Sequence, residues 1–140
     1  MDAMSYDAYM EHGYGIDISE TPYKNFFLED LYNMVAADVP ALLDGFNGFE
    51  DFDENAFEYT SIYGDNYGIE ALLADYLNEK FFPGYQFFKY EGGCLYVPDY
   101  MPSRTAAFNP TKEDVEEKLR TINKLFSSPL SIQPLTVWIS

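Results

Sequence analysis

With 140 residues, 47% of them hydrophobic, the chain is long enough to bury one sizeable core and too apolar for a solvated tail. A formal net charge of −16 argues against nucleic acid and anionic membrane as direct partners, because like charges would face each other. One cysteine, Cys94, excludes an internal disulfide and gives no sign of an oxidising compartment.

The charge is unevenly spread. Residues 1–79 hold 18 Asp/Glu and one Lys, whereas residues 80–140 hold seven Lys/Arg and six Asp/Glu. No run of about 18 apolar residues reads as a membrane span, and MDAMSYDAYMEHGYG lacks the basic region and apolar core of a secretory signal. A soluble cytoplasmic protein is expected, forming a single acidic domain over 1–140.

Residues 1–20 are acidic, Tyr-rich and interrupted by Gly13 and Gly15, and read as a loosely ordered arm with a short strand near Ile16 to Ile18. Ser19 or Thr21 then caps a helix opening at Pro22 and ending near Asp38, before Pro40. Its apolar face is Phe27, Leu28, Leu31, Met34 and Val35, with Phe26, Glu29, Asp30 and Asn33 opposite. A turn of helix at Ala41 to Leu43 is stopped by Gly45. Asn47-Gly48 and Asp65-Asn66 signal turns around a strand from Phe57 to Tyr63.

Asp65 or Asn66 caps a helix over Tyr67 to Lys80, whose buried stripe is Ile69, Leu72, Leu73, Tyr76 and Leu77. Glu70, Asp75 and Glu79 flank or oppose that stripe. YQFFKY, Glu91-Gly92-Gly93 and CLYV form a β-hairpin. Pro98 and Pro102 bound a loop, and Asn109 or Thr111 opens a helix with Val115, Leu119, Ile122 and Phe126 inward. LSIQPLTVWIS is a terminal strand, with Leu135, Val137 and Ile139 on one face and Trp138 on the other. The fold class is α+β: about three helices packed on a small antiparallel sheet.

Familiar catalytic patterns are missing. Asp51, Asp53 and Asn55 imitate the opening of a calcium loop, but Ala56 stands where a glycine is needed and Ile62 where a bidentate glutamate is needed. His12 and Cys94 are the sole residues of their kind, too few for a structural zinc site, and nothing beside Cys94 lowers a thiol pKa. Paired carboxylates for glycoside chemistry need a cleft that lifts one pKa, which so small and acidic a domain seldom builds. The expectation is a non-enzyme with no cofactor and no metal.

What remains is the run EDFDENAFEYTSIYGDNYG, Glu50 to Gly68, where aromatics are threaded through acids. In compact size, charge excess and this run, the chain resembles the phage-encoded acidic inhibitors that mimic DNA, the anti-restriction and anti-CRISPR proteins. Resemblance implies an inhibitor in the host bacterial cytoplasm that blocks the nucleic-acid or target-recognition groove of a CRISPR or restriction nuclease. Acidic immunity proteins against nuclease toxins share the same character. In this reading Glu50, Asp51, Asp53, Glu54, Glu58 and Asp65, followed by Glu70, Asp75 and Glu79, replace phosphates, while Tyr59, Tyr63 and Tyr67 anchor. A carbohydrate- or divalent-ion-binding protein built on carboxylates and tyrosines is the alternative of a different class.

Overall fold

A computed structural model describes residues 9–63, 66–99 and 110–139. It contains strands β1 (Tyr9–Asp17), β2 (Lys89–Glu91), β3 (Cys94–Pro98) and β4 (Gln133–Ile139), with helices α1 (Phe27–Asp38), α2 (Phe49–Asn55), α3 (Ile69–Phe81) and α4 (Lys112–Leu119). The sheet is antiparallel in the order β2-β3-β1-β4. The α+β class therefore stands, with four helices in place of the three expected.

Where a loose arm was expected, β1 is an interior strand of the sheet, pairing β3 through Gly13–Asp17 and β4 through Tyr9–Gly15. Gly13 and Gly15 act here as contact residues and not as breakers. A Cβ on Gly15 would sit 2.2 Å from the Leu95 carbonyl oxygen, and one on Gly13 would sit 2.5 Å from the Tyr96 ring. That close approach lets the sheet curl. Trp138 pairs with Met10, seven residues from Asp17 along β1, yet its carbonyl lies 3.1 Å from a Cβ built on Gly92 in the β2–β3 turn. Cys94, Tyr96, Val137 and Ile139 fill the small apolar space enclosed by the curl.

On the opposite face Ile16, Leu95 and Val97 join the main core with side chains from all four helices. α3 runs through its centre: every residue from Ala71 to Asn78 is buried. Ile69, expected in the buried stripe, is half-buried at its end. Asn78 is inward too, and bonds both backbone groups of Phe88, donating to its carbonyl at 3.0 Å and accepting from its N–H at 2.7 Å.

Two helices begin later than their sequence signals. α1 starts at Phe27 and not Pro22, because Tyr23 forms a bridge to Phe126 and Lys24 donates to the Leu125 carbonyl, which fixes that segment as extended chain. α3 starts at Ile69 behind Gly68 at φ 103°, so Gly68 and not Asn66 stands at its cap position. The Asn66 side chain instead donates to the Tyr90 carbonyl at 2.7 Å. α4 opens at Thr111 as expected, through a reciprocal capping box with Asp114. A 3-10 segment over Arg120–Leu125 prolongs it.

The strand expected from Phe57 to Tyr63 is absent among the described residues. Its place is taken by the end of a 3-10 turn, Ala56–Glu58, and then by a single bridge between Thr60 and Tyr67. The expected end of α1 at Asp38, the turn of helix after it (a 3-10 turn over Pro40–Leu43), the hairpin turn at Gly92-Gly93 and the terminal strand all hold. The Pro98–Pro102 loop falls largely outside the described residues.

Candidate acidic interaction surface

α2 has two faces that its seven residues assign without ambiguity. Phe52 and, just beyond the helix, Ala56 are buried, while half-buried Phe49 packs against the core. Their rings interlock with neighbours: Phe46 meets Phe52 edge-on with centroids 5.1 Å apart, and Tyr32 meets Phe49 at 5.4 Å. Positions three and four apart share a helix face. The outward face therefore carries Glu50, Asp53 and Glu54 and continues through Phe57, 61% exposed, to Glu58.

Among the described residues no cation pairs with these four carboxylates. The nearest acids in sequence that do have lysines lie on α1: Lys24 to Asp30 at 2.9 Å, and Lys80 to Asp38 at 2.8 Å. Asp51 belongs to a different structure. It turns back to accept from the Asn47 N–H at 2.7 Å and the Asn55 amide at 2.8 Å, closing the turn that launches α2.

The remaining residues assigned to the surface divide differently from expectation. Asp75 is 1% exposed, and its oxygens accept from the Tyr59 hydroxyl at 2.6 Å, the Ser61 hydroxyl at 2.9 Å and the Ile62 N–H at 2.9 Å. Tyr59 is buried with it. Neither is available to a partner. The reason is α3's central position, which leaves no outward side for Asp75 to occupy. Glu70 accepts from Tyr23 at 2.6 Å, and Glu79 accepts from Tyr63, so both acids are held by tyrosines of the fold. Tyr67 alone of the three expected anchors stands open, at 72% exposure. Asp65 lies outside the described residues.

A general device emerges from these pairs. Tyr14 donates to Glu116, Tyr23 to Glu70, Tyr59 to Asp75, Tyr63 to Glu79, Tyr76 to Asp38 and Tyr96 to Glu11. In a chain with 24 acids and only eight Lys/Arg, phenolic O–H groups serve these carboxylates, among the described residues without a cation at Glu70, Asp75 and Glu79 and beside one at Glu11, Asp38 and Glu116. Titration behaviour follows. Burial, then the carboxylate at the hydroxyl, pushes Tyr63 and Tyr76 up to about 12, and raises Tyr23, Tyr59 and Tyr96 further. Burial also raises Asp75, against the lowering effect of its three donors. Lys80 and Tyr76 hold Asp38 below the usual carboxylate range.

The isolated Cys and His do not meet. Cys94 is buried opposite Asp17, and burial pushes its thiol up. His12 is five residues along β1, roughly 16 Å away at strand rise, beside Thr136. Among the described residues no group of three His, Cys, Asp or Glu converges as a metal site requires. A cleft of about 560 Å³ opens beside Asp51, Asn55, Glu58 and Tyr59, but Asp51 and Tyr59 already serve the internal bonds described above. No described helix is long and apolar enough to cross a membrane.

Comparison with protein-family models, with curated proteins and with solved structures gave no match to this chain.

Proposed function

We propose that the protein is a non-enzymatic inhibitor whose α2 face occupies the basic groove of a nucleic-acid-handling protein, such as a CRISPR or restriction nuclease. One observation carries the reading: Glu50, Asp53, Glu54 and Glu58 line one exposed helical face, and among the described residues no cation pairs with them. These four charges lie along roughly 13 Å of chain, at about 1.5 Å per residue through α2 and about 2 Å through the 3-10 turn. One charge for every 3–4 Å is close to the phosphate density of a single DNA strand, about one per 3.4 Å. A cationic channel is attracted to such a row from a distance and holds it in competition with nucleic acid.

Internal use of the other acids sharpens the proposal. Glu70, Asp75 and Glu79 bond tyrosines of the fold and contribute field but no contact, so the contact set shrinks to the α2 face with Phe57 and Tyr67 at its margin. The test is capture of bacterial lysate proteins on the immobilised chain, followed by a challenge with duplex DNA. Retention of a nucleic-acid-binding protein that DNA displaces, and whose nuclease activity the chain suppresses, supports the proposal. A retained protein indifferent to DNA overturns it.

A further inference from the structure

Phe26 is the most exposed large apolar residue described, at 89%, and sits at the head of α1 with φ 63°. Left-handed backbone is uncommon for any residue but glycine, and a bulky aromatic is poorly suited to it. Phe27 stacks on Tyr23 with ring centroids 4.1 Å apart, whereas Phe26 stacks on no described ring.

Beside Phe26 a groove of about 340 Å³ separates the first turn of α1 from α2. Phe26, Phe27, Leu28, Glu29, Phe49 and Asp53 line it. Its two carboxylates come from different helices, Glu29 from α1 and Asp53 from α2, and neither bonds another described residue. Phe49 is held in place from behind by Tyr32. The groove thus offers three aromatic rings, those of Phe26, Phe27 and Phe49, and two carboxylates unpaired among the described residues, around one small space.

An apolar occupant would draw both carboxylates away from water with nothing to neutralise them. A second copy of the chain would bring another −16 to the same place. A cation satisfies both features at once. Guanidinium suits them better than ammonium, because its plane stacks on aromatic faces while its edge donates two parallel hydrogen bonds to a carboxylate. We infer that this groove receives one arginine side chain of a basic protein partner. The inference rests on the α2 face being the contact surface, and adds the residue type that the surface selects.

Nona-arginine and nona-lysine peptides are suitable probes, titrated by fluorescence anisotropy at about 0.15 M ionic strength. The wild-type chain should prefer the arginine peptide. Phe26→Ala should weaken the arginine peptide about tenfold, equivalent to about 1.4 kcal/mol, and erase most of the preference. Glu29→Gln with Asp53→Asn should do the same. Because Phe26 touches little, its variant should keep the wild-type thermal midpoint, which separates lost binding from lost fold. If all these variants keep the arginine preference while Glu50→Lys with Glu54→Lys weakens both peptides, the groove is overturned and the α2 face stands. If the wild-type chain binds neither peptide, groove and face fall together.

Discussion

The Tyr59 hydroxyl donates to Oδ2 of Asp75 at 2.6 Å, and the Ile62 N–H donates to the same oxygen from the far end of the loop. One carboxylate on the central helix thereby ties down the chain that follows the acidic face. A buried carboxylate is expensive to desolvate and is retained only where donors surround it. Removing it leaves those donors unsatisfied.

Asp75→Ala is therefore expected to destabilise the fold by about 2–4 kcal/mol, the range for orphaning buried donors of an ionised acceptor. Asp75→Asn should cost less, because an amide oxygen still accepts from Tyr59 and Ile62 and its NH2 can face the Ser61 hydroxyl. Urea midpoints for the two variants test this, and equal losses would refute the donor account.

The tyrosine–carboxylate pairs predict alkaline lability. Tyr63 and Tyr76 are raised in the folded chain to about 12. A raised pKa means that the folded state holds its proton longer than the unfolded chain, whose tyrosines ionise near about 10. The associated stability is complete below about pH 10 and is lost as pH climbs through about 12. Unfolding free energies measured across that window should fall, and phenolate absorbance should show tyrosines that ionise only as the chain opens.

Gly15→Ala tests the curl of the sheet. Its Cβ would meet backbone, the Leu95 carbonyl, at 2.2 Å, with the Tyr96 Cα at 2.6 Å. Neither can yield without breaking the β1–β3 ladder. We expect loss of cooperative folding, or a loss of more than about 3 kcal/mol, beyond the usual range for a point substitution. By contrast, Thr111→Ala at the α4 cap should cost about 1 kcal/mol.

Much of this architecture is legible in the residues, and the misreadings have physical causes. Leu72, Leu73, Tyr76 and Leu77 announce α3 because a buried stripe at helical spacing has few other solutions. Gly92-Gly93 marks the hairpin for an equally local reason, the positive φ at both positions. Apart from its end near Ile16, β1 escapes notice because Gly13 and Gly15 normally mark breaks, and only the partner strand shows that they mark close approach. α2 escapes because Phe49, Phe52 and Ala56 span barely two turns, too short for periodicity to stand out from the acids around them. The α2 acids were identifiable as surface from their charge alone, since unpaired Asp and Glu are almost never buried. Asp75 was not, because polar residues on an all-round buried helix look like an outer face until the helix is placed. One signal for the tyrosine pairing was present throughout: 13 Tyr beside 24 acids and only eight Lys/Arg.

The most direct measurement compares the wild-type chain with the fourfold variant Glu50→Lys, Asp53→Lys, Glu54→Lys and Glu58→Lys for retention of the DNA-displaceable protein captured from lysate. All four side chains are exposed, so the variant should keep the wild-type circular dichroism spectrum and urea midpoint. The account predicts that the folded variant retains none of that protein and no longer suppresses its nuclease activity. Equal retention by a folded variant would contradict it.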